Sequence, residues 1–257
     1  MLFFSLFLLL GLDVNMLPKI ESPIDYNIVA EILVSNIEIM VFNDTLKSKL
    51  ETNLDTISYA DTKTDIDQLR KRLKEKHKLD KISLDYIKTV FTTHLVDKII
   101  PHWYGTPWSF GGHTAVPNQG KIACGYFIST TLRDMGIKLN RYKLAQKSPI
   151  DEGKVISCGS DIYTVVQDVP EKAFEEIDRL TKEGLHFIGF DEGHVGYLLK
   201  REGELLLIHS NYLSPVSVCI EPLKESRVFK SFSKFHLVEI SNNDFLIKRW
   251  LNNRTVL

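Results

Sequence analysis

Apolar side chains recur with a helical period through the first half of the chain. From about Asp65 they lie on one side of a predicted helix, with charged residues on the other. A second helix is predicted after Ser83, a suitable N-cap, because apolar residues step by three or four positions until Pro101 ends the pattern. A third covers residues 123–135, where Cys124 opens the apolar face. These segments predict three amphipathic helices.

The second half of the chain changes to strand-like runs. A helix opened by Pro170 and stopped at Gly184 is predicted before them, while residues 137–169 show a mixed pattern. Five apolar runs, separated by Gly, Pro or acidic residues, then predict an antiparallel meander: LHFIGF, GHVGYLLK, ELLLIHSNY, VSVCIEPL and FSKFHLVEIS. A short helix in NDFLIKRWL follows. Helices followed by a sheet predict an α+β domain whose antiparallel sheet packs on the cysteine helix.

The chain begins with the apolar run LFFSLFLLLGL. It has the length of a signal-peptide core and is too short to cross a bilayer, although no Lys or Arg precedes it and no small-residue cleavage site follows. A buried strand or helix is the alternative. We expect a signal peptide in residues 1–20, export to the periplasm or cell envelope, and no integral membrane span. Residues 21–100 then form a mostly helical N-terminal region, and 101–257 the domain with the cysteine helix.

Composition narrows the function by exclusion. Of the 257 residues, 44% are hydrophobic, as in an ordinary globular protein. The formal net charge is −1, so the chain lacks the basic footprint of a nucleic-acid-binding protein. No two of the three cysteines form a CxxC pair, which argues against a metal knuckle or redox motif; they are Cys124, Cys158 and Cys219. Five histidines also show no shared ligand spacing, namely His77, His94, His102, His186 and His236. We therefore expect neither a metal nor a cofactor.

Cys124 is the first candidate for chemistry. Either it is a small core residue, or it is a nucleophile, since the free N–H groups and dipole of a helix start favour a thiolate and can hold an oxyanion. A nucleophile needs a base, and His194 begins a strand after the turn DEG. If the next strand pairs antiparallel with it, with residue numbers adding to 404–406, His194 lies opposite residues 210–212. His209 or Asn211 could then orient the imidazole.

The order of these residues resembles that of the NlpC/P60 family of papain-like cysteine peptidases. The resemblance covers about residues 100–215 and rests on YGTPWSFGG, CGYFISTTLRDMGI and HVGYLL…LLLIHSNY. It implies a papain-like core in which Cys124 is the nucleophile, His194 the general base and acid, and His209 the orienting residue. The implied substrate is a peptide bond in peptidoglycan stem peptides. The chain departs from the family at Ala123 and Gly125, where Asp and Ser are usual, and in the long interval between cysteine and histidine.

Candidate substrate contacts are Tyr104, Trp108, Gln119 and Asn211. The two aromatic residues either line a cleft or pin the loop to the core. Gln119 resembles the oxyanion glutamine of papain-like proteases, one residue short of the usual spacing. The alternatives to a peptidase are an amidase or acyltransferase with another substrate and an inactive cell-wall-binding protein. The sequence does not exclude an inhibitor or immunity partner over the cleft.

Overall fold

A computed structural model describes residues 58–191 and 193–257. The expected signal peptide and residues 21–57 of the predicted N-terminal region lie outside the described residues. From residue 58 onward the described chain belongs to one compact unit. None of its helices combines the length and the apolar character needed to cross a bilayer.

The helices of the described residues flank the sheet. They are α1 (Tyr59–Lys78), α2 (Leu84–His94), α3 (Cys124–Asp134), α4 (Arg141–Ala145), α5 (Pro149–Ser157), α6 (Pro170–Leu180) and α7 (Asp244–Leu251). The predicted cap of α2 is confirmed, since Ser83 Oγ accepts from the N–H of Tyr86 at 3.1 Å. The predicted end of α6 is wrong. Thr181 already has extended backbone, and Gly184 opens a strand instead.

The sheet has six antiparallel strands in this part of the chain. They are β1 (Ile162–Val166), β2 (Gly184–Phe190), β3 (His194–Arg201), β4 (Glu204–Ser210), β5 (Val218–Pro222) and β6 (Lys234–Glu239). Their order is β1-β6-β2-β3-β4-β5. The predicted meander holds for β2 to β5, but it is wrong for β6, which pairs with β2. After β5 the chain returns across the sheet to β2, because Leu223 and Phe229 are buried with Phe235 of β6 in one cluster. The α+β class is confirmed.

Alternation along the strands divides the core into two clusters, one on each face of the sheet. Tyr197 of β3 belongs to the larger cluster, which includes residues of α1, α2, α3 and α7. Its hydroxyl lies 2.8 Å from Thr131 Oγ1 of α3. Leu198, the next residue of β3, belongs to the smaller cluster with Ala173 and Ile177 of α6. The cysteine helix and α6 therefore pack on opposite faces of the sheet.

A buried polar network joins α1 to the cysteine helix. The hydroxyl of Tyr59 donates to Asp134 Oδ2 at 2.7 Å and accepts from Trp103 Nε1 at 2.9 Å. Burial, together with the nearby carboxylate of Asp134, raises the pKa of Tyr59 far above its usual range. The helices α1 and α2, which precede residue 100, thus share a core with α3.

The loop before α3 is held by backbone contacts. The N–H of Ala123 donates to the carbonyl of Gly112 at 2.9 Å. A Cβ at Gly112 would lie only 2.7 Å from the backbone of Ile122, so this approach requires glycine. From the sheet, Ser210 Oγ donates to the Ile122 carbonyl at 2.7 Å. The start of α3 is therefore set by both the loop and the end of β4.

Candidate active site

Cys124 is the first residue of α3 and is partly exposed. The preceding N-cap, Ala123, has no side-chain oxygen, so it leaves the N–H groups of the first turn available. The sulfur lies 3.9 Å from the carbonyl oxygen of Gly193, just before β3. The backbone N–H groups of Val195, Gly125 and Cys124 itself also point at it. The thiol therefore sits between the helix start and the start of β3.

The electrostatics of this position favour a neutral thiol. The pKa of Cys124 is raised to about 11, chiefly by burial, although the N–H group of Val195 lowers it. The helix start alone predicted a lowered pKa. The N–H groups at the helix start do lower it, but desolvation outweighs them. The nucleophile predicted from the sequence thus carries its proton at neutral pH.

The two predicted histidines are in contact. His194 Nε2 lies 2.8 Å from His209 Nδ1, and both side chains are buried. The register behind this contact agrees with the prediction, because β3 pairs Tyr197 with Ile208, whose numbers add to 405. On its far side, His209 Nε2 lies 3.2 Å from Glu221 Oε1 on β5. Three side chains from three neighbouring strands therefore form a continuous relay.

Glu221 sets the order of protons in this relay. Burial by itself raises the pKa of Glu221, but the hydrogen bonds of His209 and Ser226 hold it below its usual range, so the group is a carboxylate. A carboxylate accepts the Nε2–H of His209, which leaves Nδ1 of that ring as an acceptor for His194 Nε2–H. Burial, with the nearby His209, lowers the pKa of His194 well below its usual range. His194 is therefore neutral, and its unprotonated nitrogen is Nδ1.

Cys124 and His194 both lie near the start of β3, but on opposite faces of the sheet. The ring centroid of His194 lies 5.3 Å from that of Phe190, which belongs to the smaller core cluster. Because α3 packs on the other face, the sulfur of Cys124 contacts the backbone that flanks His194. Within the described residues no hydrogen bond joins this sulfur to an imidazole. All three predicted catalytic residues lie near the start of β3, but only the histidines touch.

An aromatic wall adjoins the histidine pair. The ring centroid of Tyr212 lies 5.3 Å from that of His194 and 6.0 Å from that of Trp108, a predicted substrate contact. The N–H of Trp108 donates to the carbonyl of Val216 at 3.0 Å, which holds the loop against the chain before β5. Tyr212 was missed by the sequence analysis, and its only signal was its place directly after the strand that carries His209.

Within the described residues, no hydrogen bond joins the other predicted substrate contacts to the sulfur of Cys124. Tyr104 packs partly buried against the main core, and burial raises the pKa of its hydroxyl to about 12. Gln119 is exposed in the loop, where its carbonyl accepts from Thr114 Oγ1 at 2.6 Å. Asn211 is buried and accepts the N–H of Leu213 at 2.7 Å through its side-chain oxygen. The hydrogen-bond partner of His194 is thus His209, while Asn211 closes the turn after β4.

Glu152 of α5 is a second residue that the sequence analysis missed. Its side chain is 1% exposed, and Oε1 has no hydrogen-bond partner within the described residues. Burial raises its pKa well above the usual range, so the carboxyl is neutral, and a charge there would raise the thiol pKa of Cys124. An acidic residue in the first turn of a helix usually indicates a solvated surface. No local pattern therefore marks it as buried.

One group of side chains could hold a metal ion. Among the described residues, a ring nitrogen of His209, Sγ of Cys219 and a carboxylate oxygen of Glu221 all lie within 4.8 Å of one another. The sequence analysis expected no metal, because it searched for ligands at short spacing along the chain. These three ligands are brought together by strand pairing.

Comparisons with family models, with curated proteins and with solved structures found no match to this chain. The resemblance to the NlpC/P60 family therefore rests on the residues quoted from the sequence.

Proposed function

We propose that the protein is a cysteine hydrolase that cleaves an amide bond by acyl transfer, on a papain-like scaffold of the NlpC/P60 type. The observation that carries the proposal is the ordered relay from Glu221 through His209 to His194, together with the contact of the Cys124 sulfur, at a helix start, with the backbone of Gly193 next to His194. Buried histidines in series orient one another, and the unprotonated Nδ1 of the last ring is a base.

The reaction starts from a neutral pair. Sγ of Cys124 rotates away from the Gly193 carbonyl, gives its proton to Nδ1 of His194 and attacks the substrate carbonyl carbon. His209 and the Glu221 carboxylate stabilise the imidazolium that forms. The N–H groups at the start of α3 hold the oxyanion. His194 then protonates the leaving amine, and water, deprotonated by His194, hydrolyses the thioester to release the acid and the thiol.

The substrate class follows from the resemblance and from the aromatic wall. NlpC/P60 peptidases cut peptidoglycan stem peptides, so these peptides are the first substrates to test. The ring of Tyr212 packs against His194, and that of Trp108 packs against Tyr212, so the two aromatic side chains offer a surface for the peptide near the base.

The test compares the protein with its Cys124→Ala variant on defined muropeptides, read by mass spectrometry. We expect fragments of one consistent mass difference from the protein and none from the variant. Cys158→Ala is the matched control, because Cys158 is also partly buried, and its sulfur hydrogen-bonds, among the described residues, the Val155 carbonyl of the preceding helix α5. Equal cleavage by Cys124→Ala would refute the assignment of the nucleophile.

A peptidyl vinyl sulfone tests the chemistry without knowledge of the substrate. We expect it to label Cys124, and we expect His194→Ala to slow that labelling strongly while Cys158 is unaffected. If no muropeptide is cut and His194→Ala leaves the labelling rate unchanged, the hydrolase is excluded. The raised thiol pKa of Cys124 favours one alternative, a protein that binds peptidoglycan peptides without cutting them. A binding protein of this kind would keep the same affinity for muropeptides after the Cys124→Ala substitution.

A further inference from the structure

The β4–β5 hairpin gathers a sulfur, an imidazole and a carboxylate on one face. His209 pairs directly with Cys219, so both side chains point to the same side of the sheet. Glu221 lies two residues further along β5 and therefore shares that face. The three potential ligand atoms lie within 4.8 Å of one another, and His209 Nε2 is 3.2 Å from Glu221 Oε1.

This donor set suits zinc. Zn²⁺ binds Cys sulfur, His nitrogen and carboxylate oxygen in a tetrahedron, whose donor atoms stand roughly 3.3–3.8 Å apart. The present separations are all within 4.8 Å, so an inward movement of about 1 Å brings the three atoms to that geometry. Cys219 and Glu221 are partly exposed on β5, an edge strand, so an ion can reach them from solvent.

Outer contacts already orient two of the three ligands. Asn211 Nδ2 donates to Cys219 Sγ at 3.8 Å. Ser226, a buried residue, hydrogen-bonds the carboxylate of Glu221. Contacts of this kind typically support metal ligands in proteins.

We propose that His209, Cys219 and Glu221 bind one Zn²⁺ ion, and that the bound ion switches off the Cys124 site by reversing the protons of the histidine pair. Zinc binding stands on the geometry of the three ligands alone. The switching effect rests on the proposed cysteine hydrolase.

The reversal follows from the two nitrogens of each ring. Without metal, His209 carries its proton on Nε2, facing Glu221, and His194 carries its proton on Nε2, facing His209. Zinc takes the Nε2 lone pair of His209, so its proton moves to Nδ1 and is donated to His194 Nε2. The proton of His194 then moves to Nδ1. Both rings stay neutral, and Cys219 loses its thiol proton to solvent. His194 can no longer accept the proton of Cys124.

Zinc binding is tested directly with the full chain. We expect isothermal titration with ZnCl₂ to give one ion per chain, and Co²⁺ to give a thiolate-to-metal charge-transfer band. Cys219→Ser should remove the band and weaken zinc binding at least tenfold. Cys158→Ser, the matched control, should leave both unchanged. No zinc binding, or binding that Cys219→Ser does not alter, would overturn the site.

The proton order is read by ¹⁵N NMR of the imidazoles, which needs no activity. We expect the protonated nitrogen of His209 and of His194 to change from Nε2 to Nδ1 when zinc is added, and no change in Cys219→Ser. Zinc-bound protein with unchanged tautomers would overturn the switch while the site stands. If the NMR change occurs and no substrate or probe reacts with Cys124 in either state, the hydrolase fails and the zinc-dependent tautomer change remains.

Discussion

The pH dependence of Cys124 alkylation tests whether the thiol is neutral at rest. Burial raises its pKa to about 11, and burial lowers the pKa of His194, the predicted base, so that this residue is neutral as well. The reactive form is the thiolate, so the rate with iodoacetamide should climb tenfold per pH unit from pH 6 to about pH 10. The perturbation is pH alone, which leaves the packing of the site intact.

The thiol pKa determines the magnitude at pH 7. A thiol of pKa about 11 is about one part in 10⁴ ionised there, whereas an ordinary cysteine of pKa ~8.5 is about 3% ionised. The difference in thiolate is roughly 300-fold, and the stronger nucleophilicity of the more basic sulfur recovers about 15-fold of it. We expect Cys124 to react roughly 20-fold more slowly than a free cysteine at pH 7.

Peptide-resolved mass spectrometry measures this rate, because Cys158 and Cys219 also carry raised pKa values. A short cysteine peptide in the same tube calibrates each pH. The shape of the profile does not depend on how accessible the sulfur is, since accessibility scales all rates equally. A plateau between pH 5 and pH 8, with rapid labelling at pH 6, would show a preformed thiolate–imidazolium pair and refute the neutral resting state.

Three further variants test the packing by chemical denaturation. Tyr59→Phe should lower the free energy of unfolding by about 2–3 kcal/mol, because it strands two buried partners, and an unchanged midpoint would contradict this. Gly112→Ala should cost about 1–3 kcal/mol through its backbone clash, whereas Gly111→Ala, with open space, should be neutral. Burial raises the pKa of Glu152, so its neutral form stabilises the fold below about pH 4.5 and that stability is lost as pH rises. The free energy of unfolding of Glu152→Gln should therefore rise relative to that of the wild type from pH 4.5 to pH 8. A difference that does not change with pH would argue against a buried carboxyl.

Local patterns predicted the elements that carry the site. The cap at Ser83 and the apolar face of α3 come from residues a few positions apart, which interact within one helix. The turn between β3 and β4 leaves little freedom of register, so the contact of His194 with His209 could be read from numbering alone. Chemistry that depends on near neighbours was therefore predictable.

Long-range packing decided the rest. The return of β6 to β2 depends on how the chain after β5 buries Leu223 and Phe229, which no local pattern records. The role of Glu221 also needed the tertiary fold, because only the pairing of β4 with β5 brings its carboxylate to His209. The same pairing adds Cys219 and creates the ligand set for zinc.

The sequence by itself determined the α+β class, the helix that begins at Cys124 and the two strands that bring the histidines together, because periodicity and short turns act over few residues. Only the tertiary structure decided the state of the site. Burial keeps the Cys124 thiol neutral against the N–H groups of its own helix, and it keeps Glu152 protonated. Alternation and sheet packing turn His194 to the face opposite α3. Desolvation and strand geometry sum over contacts from distant parts of the chain, so they follow from the fold.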